Sequence, residues 1–262
     1  MKGLSRVIAF AAALCLLSCA PAYSQQGGTT GSLEITVNPK IGTQAVGFKG
    51  KRFYLLQGGL EANRTLIETL KTASPTSRDC FYCKIQASSE FIAWLKAGDC
   101  DSPYCREITV EDIAKVPEFK AAYEKSLAEY GNKPSIAQKW LINNLAPTLS
   151  VGFYDTRRSF LDTLLKTVKT TGSAVTDSSN FRAMFVNIPL KEAETAETFL
   201  VSNLVPIEWG GKSYTWACEV AVGGDEIAAL KLQVPEMDKP VKGCEVIVRE
   251  LPACSSEICV RR

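Results

Sequence analysis

The chain has 262 residues, enough for one large domain or two small ones, and its 46% hydrophobic content is ordinary for a globular protein. Its 30 basic residues nearly balance its 28 acidic ones, and Lys2 and Arg6, in an acid-free stretch of residues 1–24, account for the difference. The remainder is neutral overall, which excludes a chain-wide basic field for nucleic acid or an anionic membrane, and the absence of histidine excludes His-dependent triads, Cys–His dyads, His-ligated zinc and His proton shuttles.

Residues 1–24 read as a signal peptide: a basic start, then an uncharged apolar run over 7–17 that is too short to span a bilayer. Two processing routes fit. Leu16-Leu17-Ser18-Cys19 resembles a bacterial lipobox, with Cys19 as the lipidated terminus, while Ala22-Tyr23-Ser24 suits ordinary cleavage before Gln25. Residues 25–31 read as a flexible tether.

Residues 32–59 carry the first expected strands. Leu33, Ile35 and Val37 alternate, and the run 53–56 lies between Gly50 and Gly58-Gly59. Over 60–166 the pattern turns helical. Leu66, Ile67 and Leu70 form one stripe, and Phe91, Ile92 and Leu95 follow a Ser88 or Ser89 cap and stop at Gly98. Thr109 and Asp112 suit a capping box, and Pro117 opens a helix carrying Phe119, Tyr123 and Leu127 and closed by Gly131. Pro134 opens another with Ile136, Trp140, Leu141 and Leu145, and Phe160, Leu161, Leu164, Leu165 and Val168 give a last stripe. The mixed charges of this block read as a solvated surface.

Residues 167–250 return to strand patterning. A turn over 175–180 uses Asp177 and the serines as backbone acceptors, with Asn180 suited to a left-handed conformation. Phe181, Ala183 and Phe185 then share a face, and Pro189 ends the strand. Phe199 and Val201 alternate in the next. Gly210-Gly211 marks a hairpin before a strand with Tyr214, Trp216, Cys218, Val220 and Val222 on one face. Strands are also expected over 227–234 and 244–248, then a cysteine-closed tail over 251–262.

The turn and strands of 172–222 resemble the carboxypeptidase regulatory-like (prealbumin-like) sandwich domains. The resemblance rests on Thr176, Asp177, Asn180, Phe181, Ile188 and Pro189, then Phe199, Val201 and Leu204; residues 32–57 would add strands. Asn180 replaces the usual turn glycine, and 190–197 replace a tight Pro-Gly turn. The resemblance implies a non-catalytic module without an active site. The expected fold is α+β: a prealbumin-like antiparallel β-sandwich with a large, cysteine-containing helical insertion that the sandwich does not require.

Eight cysteines lie beyond the leader, an even number that reads first as disulfides in an exported chain. Cys254 with Cys259 and Cys100 with Cys105 could each close a small loop, and Cys218 could meet Cys244 across the sandwich. Cys80 and Cys83 could pair with each other or exchange partners with Cys100 and Cys105. Their C-x-x-C spacing also fits a thiol–disulfide oxidoreductase, without the expected strand-to-helix context. All four of these cysteines have approximate zinc spacing, which an oxidising compartment disfavours.

Trp209 and Tyr214 are candidate ligand-stacking residues; alternating aromatics on such a strand are usually core, so Trp209 is the better candidate for exposure. Asp99, Asp101 and Glu107 lack the regularity of a calcium loop. Asn63-Arg64-Thr65 is a glycosylation sequon with little expected use. The expected function is a non-catalytic exported binding or structural module of the cell envelope, whose partner is an envelope protein or a saccharide. No nucleic acid, metal or cofactor is expected, and membrane contact only through an anchor at Cys19. The alternative is an envelope thiol–disulfide oxidoreductase using Cys80 and Cys83.

Overall fold

The structure, a computed structural model, describes residues 29–191, 195–224, 226–235, 239–252 and 254. The leader with Cys19, most of the tether, and Cys259 lie outside the described residues. The chain opens with β1 (Thr30–Thr36), a short hairpin of β2 (Lys40–Ile41) and β3 (Gln44–Ala45), and β4 (Arg52–Gln57). Eight α-helices follow: α1 (Arg64–Thr72), α2 (Arg78–Lys84), α3 (Ser89–Ala97), α4 (Val110–Lys115), α5 (Pro117–Glu129), α6 (Pro134–Trp140), α7 (Pro147–Ser150) and α8 (Gly152–Leu165). Then come β5 (Thr170–Val175), β6 (Arg182–Pro189), β7 (Glu197–Ser202), β8 (Ile207–Trp209), β9 (Lys212–Val222), β10 (Ile227–Lys231) and β11 (Cys244–Glu250).

Two sheets face each other across one core. One has the order β10-β1-β6; the other has the order β11-β9-β7-β4-β5, with β8 also on β9. Leu33 and Ile35 of β1 and Phe185 of β6 meet Phe53 and Leu55 of β4, Val201 of β7 and Trp216 of β9, all essentially buried. The early and late strands therefore form one β body. It is not wholly antiparallel: β1 and β10 run parallel. β1 begins at Thr30, so the expected tether is shorter than 25–31.

The larger sheet is covered on its other face as well. Leu56, Leu200 and Ala217 point away from the first core and pack against Leu66, Ile67 and Leu70 of α1 and Leu164 of α8. This is why β4 shows four consecutive buried residues where alternation would expose every second one. The helical segment is therefore not simply looped out from the sandwich: α1 and α8 pack on it as a third layer. Helices α2 to α5 and α7, with Phe153 of α8, enclose a separate aromatic core in which Phe91, Trp94 and Phe119 meet edge to face.

Local chemistry accounts for the helix starts. Ser88 caps α3, and Thr109 and Asp112 form the capping box of α4. Ser77 caps α2, a helix that the periodicity does not predict. In α6 the buried residue is Ala137, whereas Ile136 and Trp140 are exposed, contrary to the expected stripe. Asn63 of the sequon is buried, and its amide donates to the carbonyls of Gln57, Gly58 and Gly59, so it works as a clamp at the end of β4.

The expected left-handed residue at the 175–180 turn moves by one. Phe181 has φ 59°, and Asn180 does not have positive φ. Asp177 Oδ1 accepts from the backbone N–H groups of Ser179, Asn180 and Phe181 at 3.0, 2.8 and 3.0 Å, which curls the chain tightly enough to force the twist onto Phe181. The Phe181 ring then fills the space where a side chain at Gly47 would sit.

Candidate functional site

The sequence-derived candidates Cys80, Cys254 and Trp209 converge where the helical block meets the tip of the β8–β9 hairpin. Gly210 and Gly211 both have positive φ, 59° and 79°, the geometry that a two-residue hairpin loop requires. Trp209 therefore pairs directly with Lys212, and its half-buried ring rests partly on the core. Beyond β11, Leu251 N–H donates to Gly211 O at 2.8 Å, so the terminal segment runs along the hairpin tip towards α2.

There Cys254 is bonded to Cys80, 174 residues away in sequence. This corrects two expected local pairings, Cys254 with Cys259 and Cys80 with Cys83. Cys83 is also disulfide-bonded. Cys100 is bridged to Cys105, and Cys218 to Cys244; the second pair is as expected, but it joins neighbouring strands β9 and β11 of one sheet and does not cross the sandwich. The four-thiolate zinc reading of Cys80, Cys83, Cys100 and Cys105 fails on chemistry, because these sulfurs are committed to disulfides. Among the described residues no group of three metal-ligating side chains is assembled.

Glu208, next to Trp209, faces the start of α2, where both its oxygens accept from Arg78 N–H at 3.0 and 3.2 Å. Burial pushes the Glu208 carboxyl above the usual glutamate range, against the opposing pull of that N–H and of Arg157 and Arg78. The buried Arg78 guanidinium donates to Asp79 at 3.1 Å and to Cys100 O at 3.3 Å. Asp79 also pairs with Lys96, at 3.4 Å. Arg157 of α8 donates to Asp101 at 3.0 Å and to Pro206 O, tying the helices to the residues before β8. Asp99 pairs with Lys51 at 2.9 Å. Asp99 and Asp101 are thus each held by a cation from another part of the chain, and they do not form a cation site with Glu107.

Arg78, Asp79, Lys96, Asp99 and Glu208 border a cleft of about 600 Å³, whose lining also includes Trp209 and Pro252. It presents one aromatic ring among charges of both signs. Tyr214 is not part of it. Its ring is 1% exposed and stacks on Trp216 at 5.9 Å, because β9 is buried on both faces. Sequence reasoning missed Arg78, Lys96 and Arg157; the Ser77 cap and acidic Asp79 at the start of α2 were the readable signal. Comparison with protein-family models, with curated proteins and with solved structures returns no match.

Proposed function

We propose that this chain is an exported, non-catalytic binding module of the cell envelope, with a β body of the prealbumin-like kind, and that it holds a saccharide in the cleft beside Trp209. The observation that carries the reading is the half-buried Trp209 ring, fixed by a two-residue turn at the edge of a polar cleft. Sugars have an apolar face that stacks on an aromatic ring and hydroxyls that bond to fixed acceptors and donors. Asp79 and Asp99 supply acceptors, and the exposed Lys96 supplies a donor. The disulfides suit an oxidising compartment, which agrees with the leader read over 1–24. Anchoring through Cys19 is part of the proposal, and the mass of the mature N-terminus tests it.

Tryptophan fluorescence tests the cleft. Titration with neutral oligosaccharides of glucose, galactose and N-acetylglucosamine should shift the emission of the wild type and leave Trp209→Ala unmoved. No shift in the wild type, or the same shift in both, removes the reading. The competing reading is thiol–disulfide exchange by Cys80 and Cys83. It needs these two sulfurs to cycle with each other, whereas Cys80 is bonded to Cys254. Insulin reduction by the wild type that is lost in Cys83→Ser would restore it.

A further inference from the structure

A second cleft lies at the opposite functional extreme from the first, with charge of a single sign. It exists because β1 and β10 are parallel, with Thr36 opposite Lys231. Parallel strands deliver their following segments to the same end of the sheet. After β1 come Asn38, Pro39 and Lys40; after β10 come Leu232, Gln233 and, further on, Lys239 to Lys242. Between these two segments is a cleft of about 700 Å³.

Lys40, Lys231, Lys239 and Lys242 all line it, and no lining residue is a carboxylate. Among the described residues none of the four makes an ion pair, whereas Lys51, Lys71, Lys96 and Lys212 do. Glu236 and Asp238 lie between Val234 and Lys239 in sequence, outside the described residues. Counting both still leaves the four lysines with a net charge of +2. A concave wall of one sign concentrates its field on whatever enters.

The supports of this wall are fixed. Pro39 O accepts from Val46 N–H at 2.9 Å, which closes the β2–β3 hairpin that carries Lys40. Leu232 N–H continues the parallel ladder to Thr36 O at 3.0 Å, and Gln233 O accepts from the Trp216 indole N–H at 2.6 Å. A second, independent feature sits in the same wall. The Asn38 side-chain oxygen is shut off from solvent and has no hydrogen-bond partner. A buried acceptor left unpaired is costly, and it asks for a hydroxyl donor. Four ammonium groups with one orphaned acceptor call for several negative charges and a hydroxyl on one molecule.

We infer that this cleft binds a phosphorylated polyol, its phosphates held by Lys40, Lys231, Lys239 and Lys242 and a hydroxyl by Asn38, whose side chain must turn for its enclosed oxygen to meet the ligand. Lysine suits phosphate as a compact point charge. This site is independent of the Trp209 cleft and stands or falls separately. The phosphate could be carried by a free sugar phosphate or by a lipid headgroup, and the experiment has an arm for each. In the first, a hexose bisphosphate is titrated calorimetrically at low ionic strength into the wild type and into the double variant Lys239→Gln/Lys242→Gln, whose positions are exposed and whose fold should be intact. In the second, the same proteins are sedimented with phosphatidylglycerol vesicles and with phosphatidylcholine vesicles.

Wild-type binding that weakens with salt, and falls roughly twenty-five-fold in the double variant at about fivefold per lysine, is the expected result. Binding in the first arm assigns a soluble ligand. Binding to phosphatidylglycerol alone, with the same lysine dependence, assigns a headgroup. Failure in both arms, equal binding by the double variant, or a tricarboxylate bound as tightly as the bisphosphate would overturn the inference.

Discussion

Asn203 shows how one side chain can stand in for a strand. β7 leaves the ladder at Ser202, and β8 takes over only at Ile207. In the gap, the Asn203 amide accepts from Trp216 N–H at 2.8 Å and donates to Tyr214 O at 3.0 Å, satisfying two buried backbone groups of β9. Asn203→Leu fits the apolar surroundings yet strands both groups, so it should cost about 2–5 kcal/mol, read as a lower urea midpoint with unchanged m. A loss below about 1 kcal/mol would mean that water or a shifted β8 repairs the ladder. Glu208 makes a different prediction. Its carboxyl titrates above its unfolded value because of burial, so the folded chain takes up the proton first. Stability should therefore rise as pH falls through that raised value and level off below the ordinary glutamate range. Glu208→Gln keeps an acceptor for Arg78 N–H without the charge. Its stability advantage at neutral pH should shrink to nothing in acid, and an advantage that is independent of pH would refute the assignment.

At the scale of elements, the helices are joined to the sheet by specific polar ties as well as by apolar contact. Arg249 of β11 donates to the carbonyls of Leu70, Lys71 and Ala73, closing the C-terminal end of α1, and Lys71 reaches Glu245 of β11 at 3.3 Å. Such a cation also opposes the negative end of the helix dipole. The disulfides divide by the loops that they close. Cys80–Cys254 spans 174 residues and Cys100–Cys105 only 5. Restriction of the unfolded chain grows with loop length, so the limits are about 5 and about 2 kcal/mol respectively. Cys80→Ala/Cys254→Ala should therefore lower the unfolding free energy more than Cys100→Ala/Cys105→Ala, as compared by chemical denaturation. The reverse order would mean that the short bridge, next to Arg78 and Asp101, matters through the native state instead.

Among the described residues the two sheets with α1 and α8 form three layers, and the middle sheet is covered on both faces. Excising 60–166 and joining β4 to β5 with a Gly-Ser linker leaves Leu56, Leu200, Leu204 and Ala217 bare. That apolar face is continuous, so the product should bind the dye ANS and lack a cooperative transition. A monomer that unfolds cooperatively would show the helices to be an accessory after all. Gly31 marks the limit of approach of the two sheets: an added Cβ would lie 2.6 Å from Val222 and 2.7 Å from Gly223 O. The second contact is backbone, which cannot swing aside.

Local chemistry was enough to read the helix starts at Ser88, Thr109 and Pro117, the Gly210-Gly211 hairpin, and the early and late strands, because caps, turns and alternation act within a few residues of the chain. Cys100 with Cys105 and Cys218 with Cys244 were candidates on spacing alone, and the register of β9 with β11 makes the second pair adjacent. The Cys80–Cys254 bridge and the third layer were not readable, because each depends on which distant surfaces meet. The same holds for charge. Sequence gives near-neutrality, but only the parallel pairing of β1 with β10 gathers Lys40, Lys231, Lys239 and Lys242 at one end of the body, and only the seam between β8 and α2 gathers Arg78, Asp79, Glu208 and Trp209. Covalent neighbours determine conformation over short range, whereas a site is a coincidence of positions that packing alone creates.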